Sequence, residues 1–410
     1  MNASEVHQVL RSHGSTGRSF LFEVTGARDI EVSGAGAWVT VSSGLKYLDL
    51  GSYAVFLLGH RHPRVIGGVS AQLNTLPGSS RAFPNEALAA ACAALTAVVP
   101  MKSPKVMLLN SGAEATEAAA KLARAATGRP LLLHLEKSYH GKTFGALSLT
   151  DAELFRRPFV PLLPFTQAVS RSDITAAVAA IRSSKPAAIF VEPVQGEGGV
   201  YEIAPEFLRA LRSTCDETGT LLIFDEIQCG LGRCGTMWAS QAAGVVPDIL
   251  LSGKALGGGV MPVSAVVART ECFGPYDRDP IVHSSTFGGN PLAAAAVVSA
   301  LEAIQSERIV QRAADLGAKI RTRLIDLASR WPTLFGHVSG RGLMLGLHCR
   351  RPDVSALLIR NCLRRQVLVT PCLTTPHVVR ITPPAILTDD EVEFADQALE
   401  AAAHLTSQDL

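Results

Sequence analysis

The chain has 410 residues, 47% of them hydrophobic and 18% charged, with a formal net charge of +2. That length suits two domains, or one large domain with an appendage, and the apolar share excludes a disordered chain. A charge this close to zero supplies no basic field for nucleic acid.

The opening MNASEVHQVLRSHG holds no continuous apolar run, so no secretory leader is expected. Residues 1 to about 60 read as mixed. Glu31-Val-Ser and Trp38-Val-Thr-Val alternate like short strands, with turns at Gly34, Gly36 and Gly44. From about 64 to 98 the pattern is helical and alanine-rich. Strand-like and helical runs then alternate: Val106-Met-Leu-Leu, a helix from Ala113 to Ala126, Pro130-Leu-Leu-Leu-His, a helix from Asp173 to Arg182, and Ala188-Ile-Phe-Val. A helix from Pro205 to Thr218, Leu221-Leu-Ile-Phe and Asp248-Ile-Leu-Leu follow. Short apolar runs between helices predict an α/β fold with a mostly parallel sheet buried on both faces. The apolar helix Leu292 to Ile304, 13 residues long and interrupted by Ser299 and Glu302, is too short to span a bilayer, so no membrane partner is expected. From about 307 a long helix leads into a smaller α/β segment with strands near Leu343 to Leu347 and Val378 to Ile381. The eight cysteines form no C-x-x-C pair, which argues against a zinc ribbon. No metal is expected, and scattered thiols without a leader suggest a reducing cytoplasm.

Gly230-Leu-Gly232-Arg-Cys-Gly235 spells the dinucleotide fingerprint G-x-G-x-x-G, with Asp248 downstream as a candidate ribose acid. In that fingerprint the first glycine follows the strand directly and the acid ends the next strand. Here Asp225-Glu-Ile-Gln228 intervenes, and Asp248 begins its strand. A glycine-rich turn is the simpler reading, and a nicotinamide dehydrogenase is the distant alternative.

Asp225 ends an apolar strand, where open α/β sheets place ligand-binding groups. Alone it favours a helix cap or a salt bridge over a ligand-binding role. Lys254 ends another strand before a glycine run, and apolar neighbours disfavour its charged form. A lysine for an aldehyde and an aspartate for a pyridinium nitrogen are the groups that pyridoxal phosphate most needs. Leu109-Asn-Ser111-Gly112-Ala113-Glu follows a strand and opens a helix, so its N–H groups and the Ser111 hydroxyl form a cradle for phosphate. The same S-x-x-E is also a capping box, and both roles can hold together. Tyr139, beside His140-Gly141 after another strand, offers a ring for stacking or for ordinary core contact.

In combination these stretches resemble the class III aminotransferases, pyridoxal-phosphate enzymes of fold type I. The likeness runs from about Gly36 to the C-terminal helix. It is carried by YLDLGSYAVFLLGHRHPRV, LNSGAEATEAAAKLAR, SYHGKT, FVEPVQGEGG, LLIFDEIQCGLGRCG, LLSGKALGGG, HSSTFGGNPLA, GRGLMLGL and VRITPPAILT. The resemblance implies Lys254 as the Schiff-base lysine and Asp225 as partner of the ring nitrogen. Gln228 would bond the ring's phenolic oxygen, Tyr139 and Ile227 would take the two ring faces, and Gly112 and Ala113 would bind phosphate with Ser111. Thr286 would reach the phosphate of a neighbouring subunit, implying a homodimer with shared active sites. The implied organisation is an N-terminal segment 1–65 joining a small domain, a large cofactor domain 66–306, and a C-terminal small domain 307–410.

Arg380, on the otherwise apolar Val378-Val-Arg-Ile, suits a carboxylate. The family uses the matching arginine for the α-carboxylate of glutamate or 2-oxoglutarate, and Glu197 matches the glutamate that pairs with it when the substrate has none. Tyr53, in Gly51-Ser52-Tyr53-Ala54, would line the entrance for substrate. The stretches YHGKTFGALSLTDAELFRRPFVPLLPF, GKALGGGVMPVSAVV and TFGGNPLAAAA are most similar to the putrescine (diamine) branch. Lys142 replaces the arginine common in ω-amino-acid and acetylornithine enzymes, which weakens the expectation of a distal carboxylate on the donor although lysine keeps the charge, while Ser264 and Cys229 replace the glycine and threonine usual in the diamine branch. The implied activity moves an amino group between a terminal amine, such as a diamine, and a keto acid, such as 2-oxoglutarate or pyruvate. An ornithine or acetylornithine type, or an aldehyde aminotransferase of a specialised pathway, is the alternative.

Overall fold

Seven apolar strands form the sheet that carries the site. In the computed structural model, which describes residues 1–410 apart from the Val24 side chain, they are β1 (Pro104–Leu109), β2 (Leu132–Leu135), β3 (Thr166–Val169), β4 (Ala188–Val191), β5 (Leu221–Asp225), β6 (Ile249–Ser252) and β7 (Ser264–Arg269). Their spatial order is β1-β7-β6-β5-β4-β2-β3. Only β7 is reversed, antiparallel to both β6 and β1, while the other pairs are parallel. Six strands therefore deliver their carboxyl ends to one edge, where open α/β sheets bind ligands.

The period of two along each strand decides what reaches that edge. Leu222 and Phe224 point to one face, where they meet Phe207, Leu208 and Leu211 of the helix Pro205–Thr218. Ile223 and Phe190 point to the other, against Ala115, Ala119 and Leu122 of the helix Gly112–Thr127. One step of two further on, Glu192 and Asp225 lie on this second face. Backbone pairing of Val191 with Phe224 makes these two acids neighbours.

The expected parallel sheet and most of its connections are present. The helical stretch 64–98 is two helices, Pro63–Thr75 and Glu86–Val98, parted by a segment rich in proline, glycine and serine. The mixed N-terminal region holds two unforeseen helices, Ala3–His13 and Thr16–Thr25. Its strands Glu31–Ala35, Trp38–Val41 and Lys46–Asp49 form a sheet completed by Val367–Leu368, so the two ends of the chain share one sheet. A second small sheet runs Phe335–Arg341, Met344–Cys349, Val378–Ile381, Thr370–Pro371. No helix is long and apolar enough to cross a membrane among the described residues.

Candidate active site

Strand tips build the site. A cavity of ≈ 260 Å³ is lined by Gly112, Ala113, Tyr139, His140, Gly141, Lys142, Glu192, Asp225, Ile227, Gln228 and Lys254. Asp225 pairs in register with Leu251, and Lys254 follows three residues on, so the carboxylate and the ammonium enter one hollow from adjacent strands. Lys254 adopts φ 46°, a left-handed conformation that few non-glycine residues take, at the start of the tight turn Lys254–Gly257. Burial lowers its pKa to about 8, against the opposing pull of Glu197.

Asp225 is anchored at both oxygens. Oδ1 accepts from the Ile227 N–H at 3.1 Å, and Oδ2 accepts from His140 Nδ1 at 2.7 Å. Burial alone would push the His140 ring towards neutrality, but the bond to Asp225 and its charge outweigh that and raise its pKa. Glu192 accepts from the Tyr139 N–H at 2.9 Å. Its burial raises it to about 7, with Asp225 adding to the effect and His140 opposing it. Burial thus favours the protonated form of Glu192, while the carboxylate of Asp225 faces the His140 ring.

At the other end of the hollow the helix Gly112–Thr127 presents its first turn. Ser111 is its N-cap: Ser111 Oγ accepts from Glu114 N at 3.2 Å and Glu114 answers with bonds from the N–H groups of Asn110 and Ser111. A Cβ at Gly112 would lie 2.9 Å from Ile227 Cδ1, so glycine keeps the hollow open there. Ser264 Oγ holds the Ser111 carbonyl at 2.6 Å.

Arg380 is fully buried and forms an ion pair with Glu197. Glu197 sits in the turn between Val194–Gln195 and Tyr201–Glu202, where it also accepts from Gln228 Nε2 at 3.2 Å and Leu373 N at 2.8 Å. Burial would raise the Glu197 carboxyl, yet Arg380 and Lys254 hold it below the usual range. Through Gln228 this pair adjoins the cavity.

Residues 28–403 match the family described as aminotransferase class III. The chain belongs to the class III aminotransferases. It is 38% identical over 359 residues to a putrescine aminotransferase of Pectobacterium atrosepticum, covering 85% of this chain and 77% of that one. A solved ornithine aminotransferase of Toxoplasma gondii superposes with a TM-score of 0.88 at 31% identity, covering 96% of each chain. An acetylornithine aminotransferase of Elizabethkingia anophelis gives a TM-score of 0.85 at 29% identity, covering 99% of this chain and 100% of that one. This aminotransferase is a pyridoxal-phosphate-dependent transaminase of fold type I, and the dehydrogenase alternative falls. Asp248 is a brace instead of a ribose acid: its buried carboxylate accepts from Leu222 N at 2.7 Å and Arg212 Nη1 at 2.9 Å and pairs with Arg269.

The residues present fit the cofactor. A buried carboxylate, an ammonium of lowered pKa and an open helix N-terminus converge on one hollow, and His140 Nε2 is buried without a partner beside them. Among the sequence candidates, Gly112, Ala113, Tyr139, Ile227, Gln228, Asp225 and Lys254 line the hollow, while Glu197 and Arg380 stand behind Gln228. Ser111, Tyr53 and Thr286 do not line it. Tyr53 is 58% exposed, and Thr286 lies with Ser79 to Asn85 in a separate surface hollow of ≈ 520 Å³. Sequence reasoning assigned no role to His140 or Glu192. Glu192 follows its apolar strand by the rule that picked out Asp225, whereas His140 lies in the loop beyond Leu135, where that rule does not reach.

Proposed function

We propose that the enzyme transfers an amino group between a terminal amine of the diamine class and a keto acid, 2-oxoglutarate or pyruvate. The buried Arg380–Glu197 pair beside the cavity carries this reading. A dicarboxylic acceptor needs a guanidinium for its α-carboxylate, whereas an amine donor without one leaves Glu197 to satisfy Arg380. The likeness to a putrescine aminotransferase supports the donor class. One observation favours an ornithine or acetylornithine donor instead: the Lys142 ammonium lines the cavity and lies 4.0 Å over the Phe155 ring, where it would attract a distal carboxylate.

When bound, pyridoxal phosphate supplies an aldehyde and an electron-accepting ring. Asp225, oriented by His140, would keep the ring nitrogen protonated. Tyr139 and Ile227 would hold the ring between them, and Gln228 would bond its phenolic oxygen. Gly112 and Ala113, with Ser111 and the partner subunit's Thr286, would hold the phosphate. Lys254, whose pKa burial lowers to about 8, would take a proton from the amine-bearing carbon and return it to the carbon that accepts nitrogen. We further propose the division into segments 1–65, 66–306 and 307–410, supported by the sheet shared between residues 46–49 and 367–368. A cytoplasmic location is supported by eight free cysteines, seven of them buried.

The decisive test is the near-visible absorbance of the purified protein. A band that shifts on adding putrescine or cadaverine with 2-oxoglutarate, and is absent in Lys254→Ala, is the expected result. Shifts with ornithine, acetylornithine or 4-aminobutyrate alone would move the donor to the second reading. For Arg380→Ala, KM for the keto acid should rise about a hundredfold, well beyond any rise for a diamine, since a lost charged contact costs several kcal/mol. Equal increases in steady-state kinetics would remove Arg380 from acceptor recognition.

A further inference from the structure

The glycine-rich turn that follows Gln228 carries a second buried guanidinium that forms no ion pair among the described residues, although the charge of Asp49 favours its cationic form. Arg233 is 1% exposed, and among the described residues no carboxylate hydrogen-bonds it. Its fork reaches backbone carbonyls from separate parts of the chain: Nη1 donates to Leu343 O at 3.2 Å and Pro383 O at 2.5 Å, and Nη2 to Ala54 O at 3.3 Å. The Arg233 carbonyl in turn accepts from Leu343 N at 2.8 Å. The join is close: a Cβ on Gly342, which has φ 55°, would lie 2.4 Å from the Cys234 carbonyl carbon.

Two of those carbonyls matter for substrate. Pro383 lies three residues beyond Arg380. Ala54 ends the loop Gly51–Ala54, in which Tyr53 (φ 53°) and Ala54 (φ 62°) are both left-handed. Such a loop persists only when its surroundings over-determine it. At its start, Asp49 Oδ1 accepts from the N–H groups of Gly51 and Ser52, each at 3.0 Å, while Oδ2 accepts from His60 at 2.8 Å. Thr382 Oγ1 donates to Gly51 O at 3.1 Å. The loop is thus gripped by an anion at its N–H end and by a cation at its carbonyl end.

We propose that Arg233 is a positioning residue that locks the Gly51–Ala54 loop and the strand bearing Arg380 onto the turn that follows Asp225, and thereby sets affinity for both substrates without taking part in cofactor capture. Lysine cannot replace it, because one ammonium cannot span three carbonyls held in a planar fork. Loss of the lock lets the loop and strand shift while the cavity residues on the tips of strands that Arg233 does not touch, Glu192 and Lys254 among them, stay in place. The inference rests on the reading of Arg380 and the entrance loop given above.

The test uses cofactor-loaded Arg233→Lys beside the parent enzyme. Hydrogen exchange of amides 51–55, read by mass spectrometry, should speed up by about tenfold or more in the variant, as expected of a segment whose local opening has become easier. KM for amine and keto acid should each rise about tenfold with kcat within about threefold, the signature of lost uniform binding. The near-visible band should be retained. A folded variant with unchanged exchange overturns the proposal, as does faster exchange with unchanged KM. If Arg233→Lys does not fold, Arg233→Gln, which keeps one N–H donor group but cannot span the three carbonyls, is read by the same exchange and KM criteria. Absence of the near-visible band from the parent defeats the functional reading alone, since exchange still reports on Arg233.

Discussion

Two carboxyls on neighbouring strand tips line this site, and they differ in what faces them. Asp225 is bonded to His140, whereas Glu192 has one backbone N–H and burial, which raises it to about 7 from the 4.5 of an exposed glutamate. Folded protein therefore retains a proton that unfolded chain releases across that interval. The stabilisation is complete below about 4.5 and is lost as pH climbs through 7. Glutamine cannot ionise, so Glu192→Gln should spare cofactor-free protein this loss. Its unfolding free energy relative to the parent should improve between those limits by on the order of 2 kcal/mol, then level off. Urea titrations at several pH values will show it, and parallel curves would mean that the carboxyl ionises freely. Glu192 was within reach of the sequence, since Ala188-Ile-Phe-Val-Glu repeats the pattern of Leu221-Leu-Ile-Phe-Asp. No need of the cofactor singles it out from the sequence alone.

The helix Gly112–Thr127 shows how one feature serves both fold and site. Its capping box is fully formed, and the same first turn faces the cavity through Gly112 and Ala113. Ser111→Ala should lower the stability of cofactor-free protein by about 1 kcal/mol through the lost cap. It should also weaken phosphate-bearing cofactor more than pyridoxal. Thermal unfolding and absorbance titrations separate the two effects, and equal weakening for both ligands would leave Ser111 a cap alone. Strands buried on both faces were legible because their apolar runs are continuous. β3 was not, since Thr166-Gln-Ala-Val at the sheet edge exposes half its residues. β7 was obscured by the glycines before it, and its reversed direction answers to no local pattern. The helices Ala3–His13 and Thr16–Thr25 were hidden by the scarcity of buried apolar positions.

The proposed dimer draws on surface that a single chain leaves uncovered. Phe83 and Phe287, 78% and 70% exposed, flank the hollow that holds Thr286, and large exposed aromatics beside a functional residue mark an association site. Phe287→Asp should shift the protein towards monomer in sedimentation velocity and reduce cofactor occupancy with it. A monomeric parent enzyme with full occupancy would show the site complete within one chain. The proposed contribution in trans could not be read from strand patterns, because Thr286 follows no strand and caps no helix.

The sheet that joins residues 46–49 to residues 367–368 has a bearing on biogenesis. During synthesis the early segment leaves the ribosome hundreds of residues ahead of its last strand, while residues 104–269 can already assemble the large sheet. Leu48 and Leu50, fully sheltered in the finished protein, must wait uncovered through most of translation. The nascent chain thus passes through a stage in which its first sheet is unfinished and adhesive, the kind of surface that chaperones hold.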